Sequence, residues 1–298
     1  MRSLPSVTKV IPLVAALLIC ACGSELPSKL VAKPFVPSTS VHKMPIRSAS
    51  RVKPHAPANA QLAYYGGSVL SNVNVVVVFW GPNVDPTTQA NIGGFYSAVT
   101  NSLYFDWLSE YNTATQAIGR GTLAGTVTIT PSNINTALND TDIQTELANQ
   151  ISAGALPAST PNTLYMTYFP PGISITQGTS SSCSAGGFCA YHGTFYSASE
   201  VFYGVVPDEG PGSGCDVGCG SDPTPFNNLT SVSSHEMIEA VTDAEVGVAS
   251  GPLGPPIAWY DPNNGEIGDI CNAQQGSIAG YVVQTEWSNV SNACIVSR

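Results

Sequence analysis

The run NVNVVVVFWG at residues 72–81 constrains the fold more than any other stretch of the chain. Its valines leave no polar face to turn toward water, and Pro82 follows the closing glycine. Such a run reads as a strand buried on both sides, which requires layers of structure above and below it. The rest of the chain can supply them. Residues 85–109 carry Ile92, Phe95, Val99, Leu103 and Trp107 at helical spacing, and Asp142 is placed to cap a helix with Ile143, Leu147 and Ile151 on one face. Residues 125–130, 163–169, 201–206 and 281–287 read as further strands, and another helix follows Asn228. The expected architecture is one α+β domain over residues 61–298, with a mixed, twisted sheet, packed helices and a disulfide-stapled C-terminal part.

The segments upstream of this domain read differently. Arg2 and Lys9 border an apolar run at residues 10–19, the pattern of an export signal over residues 1–22. ICAC at residues 19–22 resembles a bacterial lipobox with Cys22 as lipid acceptor; cleavage by an ordinary signal peptidase is the alternative. Residues 23–60, rich in Pro, Ser, Lys and Ala, show no hydrophobic periodicity and read as a flexible basic tether, or else a short propeptide. The protein is therefore expected outside the cytoplasm, secreted or lipid-anchored to a bacterial outer membrane, meeting the membrane only through Cys22.

Beyond residue 55, nineteen acids face only Arg120 and Arg298, a formal charge of 17 negative. Phosphate backbones would repel such a domain, which argues strongly against nucleic-acid binding. Six cysteines follow the leader, and an even number in an exported chain reads as disulfides. Sequence proximity favours Cys183–Cys189, Cys215–Cys219 and Cys271–Cys294.

The chemistry concentrates in SSHEMIEAVTD, residues 233–243. Residues four apart share one side of a helix, so His235 and Glu239 aim at one point. Glu236 stands where H-E-x-x-H enzymes keep their general base, and Val232, Met237, Ile238 and Val241 form an apolar side. Beyond residue 60 the only histidines are His192 and His235, so a three-histidine zinc site is excluded within this chain. Oxygen ligands must complete the set. WYDPNNGEIGDIC at residues 259–271 offers Asp261, Glu266 and Asp269, any of which could be the third zinc ligand; a calcium loop and a plain acidic turn are the alternatives. His192, in CAYHGTF, could bind metal, hydrogen-bond substrate or cap a turn.

CAYHGTF, VFYGVVP, CDVGC, SSHEMIEAVTD and WYDPNNGEIGDIC stand in the order found in the EXORDIUM / phosphate-induced-protein family, which this chain resembles over most of residues 70–275. That family is best known from secreted plant wall proteins linked to growth, and its H-E-x-x-E helix looks similar to the active helix of zincin metalloproteases. The resemblance places His235, Glu236, Glu239, Glu266 and Asp269 on motif positions. Asp243 departs from it, since asparagine stands there in plant members, and so does Ala244, where proline is usual. The leader and tether suggest a bacterial relative.

The leading expectation is a zincin-like, exported zinc metallopeptidase acting on protein or peptide. His235, Glu239, Glu266 and Asp269 are its candidate metal ligands, Glu236 its general base, and Tyr260 or His192 its oxyanion hydrogen-bond donor. Zinc-activated water would hydrolyse the peptide bond, with calcium as an optional structural ion. Two competing readings are a non-catalytic envelope protein that binds peptide or glycan, and a carboxylate-based glycosidase.

Overall fold

A computed structural model describes residues 1, 35, 37–38, 41–46, 56–246 and 256–298. All of them except Met1 belong to one unit, Lys33–Arg298. The export signal, Cys22 and most of residues 23–60 lie outside the described residues, so the readings made for them stay expectations.

Six strands form the central sheet: β1 (His42–Pro45), β2 (Asn74–Phe79), β3 (Thr122–Thr128), β4 (Thr163–Tyr168), β5 (Phe188–Ser197) and β6 (Ser199–Val206). Their order is β1-β5-β6-β4-β2-β3. The β6–β4, β4–β2 and β2–β3 pairs are parallel, whereas β1–β5 and β5–β6 are antiparallel. The valine run occupies β2 as its composition demands. Val75 and Val77 face one core, Val76 and Val78 the other, and all four are buried. Each such side chain removed from water contributes about 1.5–3 kcal/mol.

Three helices cover the sheet: α1 (Pro86–Val99), α2 (Asp140–Ser152) and α3 (Pro225–Thr242). The helical spacing across residues 85–109 does not form one helix. The Thr100 hydroxyl turns back to Tyr96 O at 2.7 Å, and Ser102 caps a new helical turn, Leu103–Asp106, which passes into a tighter one at Trp107–Tyr111. Asn139 rather than Asp142 caps α2, with Asp142 completing a capping box from the third helical position. The strand expected at residues 281–287 breaks into Tyr281–Gln284 and Glu286–Ser288, each pairing with a different partner strand.

Helix α3 begins at Pro225, whose fixed φ suits a first helical position. It is buried on every side from Asn228 to Thr242, because the sheet covers one face and strand Tyr281–Gln284 the other. The polar side chains His235, Glu236 and Glu239 are therefore enclosed by the C-terminal part.

That part is stapled, with two pairings that differ from those proximity favours. The disulfides are Cys183–Cys215, Cys189–Cys219 and Cys271–Cys294. Cys183 N–H donates to Phe188 O at 3.0 Å, which sets Cys183 beside the start of β5. The segment after β6 runs alongside: a Cβ on Gly214 would lie 2.1 Å from Cys183 O. The disulfides fit an oxidising, extracytoplasmic environment, and among the described residues no helix is long and apolar enough to cross a membrane.

Candidate metal centre

Three imidazoles and a group of carboxylates meet between β5, α3 and residues 259–271. His192 comes from β5, where Tyr191 and Phe195 fill the opposite core and alternation turns His192 toward α3. His235, Glu236 and Glu239 come from α3, with His235 Nε2 3.1 Å from Glu239 Oε1. Glu266 lies 3.6 Å from His192 Nε2 through Oε1, while its other oxygen contacts His42 Nδ1. Asp269 joins from the following turn, its N–H donating to Glu239 Oε1 at 3.0 Å.

His42 belongs to the stretch expected to be a tether. Instead, residues 42–45 pair with β5, and the register sets His42 directly opposite His192. A third imidazole therefore reaches a site for which the histidines beyond residue 60 supply only two, and this overturns the exclusion of three histidines. Nothing in the polar residues around His42 signals this, because the pairing spans about half the chain. Gln284 and Glu286 are two further members that the sequence reading does not single out.

Local backbone makes room for the cluster. A Cβ on Gly268 would meet His235 Nδ1 at 2.7 Å and Glu239 Oε1 at 2.8 Å. Gly265 has φ +92°, which favours glycine, and a side chain there would meet Asp269. Asp261 serves the turn itself, accepting from the N–H groups of Gln61 and Asn263, each at 2.8 Å. Asp243 caps α3 and accepts the Ala258 N–H at 2.8 Å. The Tyr260 ring lies tilted beside His42 with ring centroids 5.5 Å apart, its pKa pushed up to about 12 by burial and by Glu266.

Hydrogen bonding separates the roles of the two expected imidazoles. Gln284 donates its amide N–H to His235 Nδ1 at 2.7 Å. Its amide orientation is fixed, because Ala273 N–H donates to Oε1 at 2.8 Å and the amide nitrogen also donates to Gly268 O at 2.9 Å. His235 Nδ1 must therefore accept, and the ring proton sits on Nε2, facing Glu239. Glu239 favours a second proton on His235 against the effect of burial. A proton on Nδ1 would nevertheless face the amide N–H, so the neutral ring is the form that fits.

At His192 the pattern is reversed. Nδ1 lies 3.0 Å from Glu236 Oε2 and 3.5 Å from Glu239 Oε2, so it carries a proton. Nε2 has no hydrogen-bond partner, and neither do Glu236 Oε1, Glu239 Oε2 or Glu266 Oε1, all buried. Burial opposes a charge on His192, but Glu266 and Glu236 outweigh it and raise its pKa well above the usual imidazole range. Burial likewise opposes ionisation of Glu266, yet His42 and His192 hold its pKa below the ordinary carboxylate value.

These atoms suit a divalent cation. One ligand atom each from His192, Glu239 and Glu266 lies within 4.8 Å of the others, and the same holds for His235, Glu239 and Asp269. His192 Nε2 and His235 Nε2 are both buried without a hydrogen-bond partner, but the Gln284 N–H on His235 Nδ1 leaves the neutral ring's proton on Nε2, whereas the Glu236 contact keeps that of His192 on Nδ1, so His192 Nε2 is the nitrogen a cation can take by displacing the second proton. A third cluster, Glu209 with Cys215 and Cys219, is no ligand set, because both sulfurs are in disulfides. No protein-family model, curated protein or solved structure matches the chain, so the function rests on this geometry.

Proposed function

We propose that the chain is an exported metal-dependent hydrolase of the zincin type, acting on peptide bonds, with zinc held by His192, Glu239 and Glu266. One observation carries the reading: fully buried polar atoms of two carboxylates and one imidazole, Glu239 Oε2, Glu266 Oε1 and His192 Nε2, converge without hydrogen-bond partners. Leaving buried acceptors unpaired costs roughly 1–3 kcal/mol each, more for charged groups, and a cation relieves that cost.

When bound, a zinc ion supplies Lewis-acid polarisation of a substrate carbonyl. The chain's own residues divide the remaining work. Glu236 holds His192 by its Nδ1–H, fixing the tautomer that leaves Nε2 as a ligand. Its Oε1 makes no hydrogen bond and can take a proton. His235 receives a hydrogen bond from Gln284, and its Nε2 lies 3.1 Å from Glu239 Oε1. Tyr260 remains a protonated donor at ordinary pH beside His42. The order of motifs shared with the EXORDIUM-type family supports the same placement of Glu236, Glu239 and Glu266.

Cleavage of casein by the zinc-loaded protein, before and after stripping with chelator, tests the proposal. Loss of cleavage on stripping and its return with zinc are expected. Cleavage indifferent to the metal would end the metallopeptidase reading. A second reading, a peptide-binding protein without catalysis, is favoured by the complete burial of the site. It predicts zinc binding with no cleavage.

A further inference from the structure

The geometry points to the outer edge of β5 as a docking edge for an extended peptide, with β1 as its resident occupant. The inference rests on the hydrolase reading only for what happens to a peptide after it docks. β1 is the end strand of the sheet and joins it through β5 alone. His42 pairs with His192 and Met44 with Ala190, and the register shifts between Met44 and Pro45. Alternation sends His42 and Met44 to the α3 side. Met44 is fully buried in the core that holds Met237 of α3, and His42 meets Glu266. Main-chain pairing with alternate side chains seated in pockets is how a protein recognises an added strand.

Outside the ladder, the hydrogen bonds at the end of β1 lie at the upper end of the ordinary range. Ile46 N–H reaches Gly187 O at 3.2 Å, and Asn272 Nδ2 reaches Pro45 O at 3.2 Å. Lys43 Nζ lies 3.4 Å from both Gln177 and Ser180. The strand is four residues long and irregular, yet it shields His192 and Glu266, which are fully buried. A peptide taking its place would pair antiparallel with β5 and set one side chain against Glu266. The occupant's own pattern defines the ligand: a hydrogen-bond-donating ring or amine facing Glu266, and a flexible apolar side chain two residues later. β1 is then an internal competitor, and the apparent affinity for an outside peptide scales with the fraction of chains whose β1 has detached.

The test uses the full chain, stripped of metal, and a fluorescein-labelled peptide PSTSVHKMPI, the sequence of residues 37–46. Anisotropy titrations should show Met44→Ala binding it about tenfold more tightly than wild type, because the resident strand loses its buried anchor. Replacing the peptide's histidine with alanine should weaken binding about tenfold. Hydrogen exchange of the wild type should find β1 amides opening faster than those of β6. Equal affinity for wild type and Met44→Ala, or binding by neither, overturns the inference. Should Met44→Ala fail to fold, β1 amides exchanging as slowly as β6 in the wild type overturn it alone. Zinc content is read separately. Peptide binding without zinc keeps the docking edge and removes the hydrolase, and zinc without peptide binding does the reverse.

Discussion

His192 Nδ1 lies 3.0 Å from Glu236 Oε2, which ties the strand histidine to the helix carboxylate expected to act as general base. In the proposed hydrolase the contact would give Glu236 two functions, since one oxygen holds His192 and the other makes no hydrogen bond. A carboxylate that holds a metal-binding imidazole typically changes metal affinity by about 10–100-fold when removed.

Glu236→Gln should therefore weaken zinc binding by roughly 10–100-fold as well as abolish cleavage. Competition with a chromogenic chelator measures this directly. Unchanged zinc affinity would show that Glu236 does not orient His192.

Gly268→Ala should destabilise the protein by about 1–3 kcal/mol, because the added methyl is forced against His235 and Glu239. Thermal unfolding reads the loss. A melting temperature equal to wild type would mean the segment carrying Asp269 is not packed on α3 as described.

The helix and its H-E-x-x-E face are legible in the sequence because the chemistry there is local: four-residue spacing brings His235 and Glu239 together in any helix. What spacing alone leaves out is the hydrogen on each ring nitrogen. Gln284, distant in sequence, decides that His235 presents N–H rather than a lone pair. His42 is hidden for a related reason. A four-residue strand in a Pro- and Ser-rich stretch has no period to detect, and its partner is β5, far along the chain. The valine run, by contrast, is legible because burial on both faces leaves an unmistakable composition. The disulfide pairings require knowing which loops run side by side, and proximity along the chain misplaces two of them.

Replacing Cys183 and Cys215 together with serine should cost roughly 2–4 kcal/mol, since the bridge closes a loop spanning 32 residues. Denaturant titration measures the loss. Peptide mapping of the unreduced protein should recover Cys183 joined to Cys215 and never to Cys189.

Glu286 supplies a pH signature. Burial pushes its pKa up to about 8, against the hydrogen bonds from Tyr104 and Gln284. The folded chain thus favours the protonated acid, while the unfolded chain releases its proton near pH 4.3. Stability contributed by Glu286 is fully present below that value and is lost as pH rises toward and through 8. In metal-free protein, the melting temperature of wild type minus that of Glu286→Gln should fall from pH 4.5 to 8. A difference that stays constant over this window would remove Glu286 from the account.

Elemental analysis of the purified, zinc-reconstituted protein bears most directly on the metal centre, comparing wild type with His192→Ala, Glu239→Ala and His235→Gln. The account predicts about one zinc per chain in wild type and in His235→Gln, and almost none in His192→Ala or Glu239→Ala. Wild type holding no zinc, or His192→Ala keeping it while His235→Gln loses it, would contradict the account.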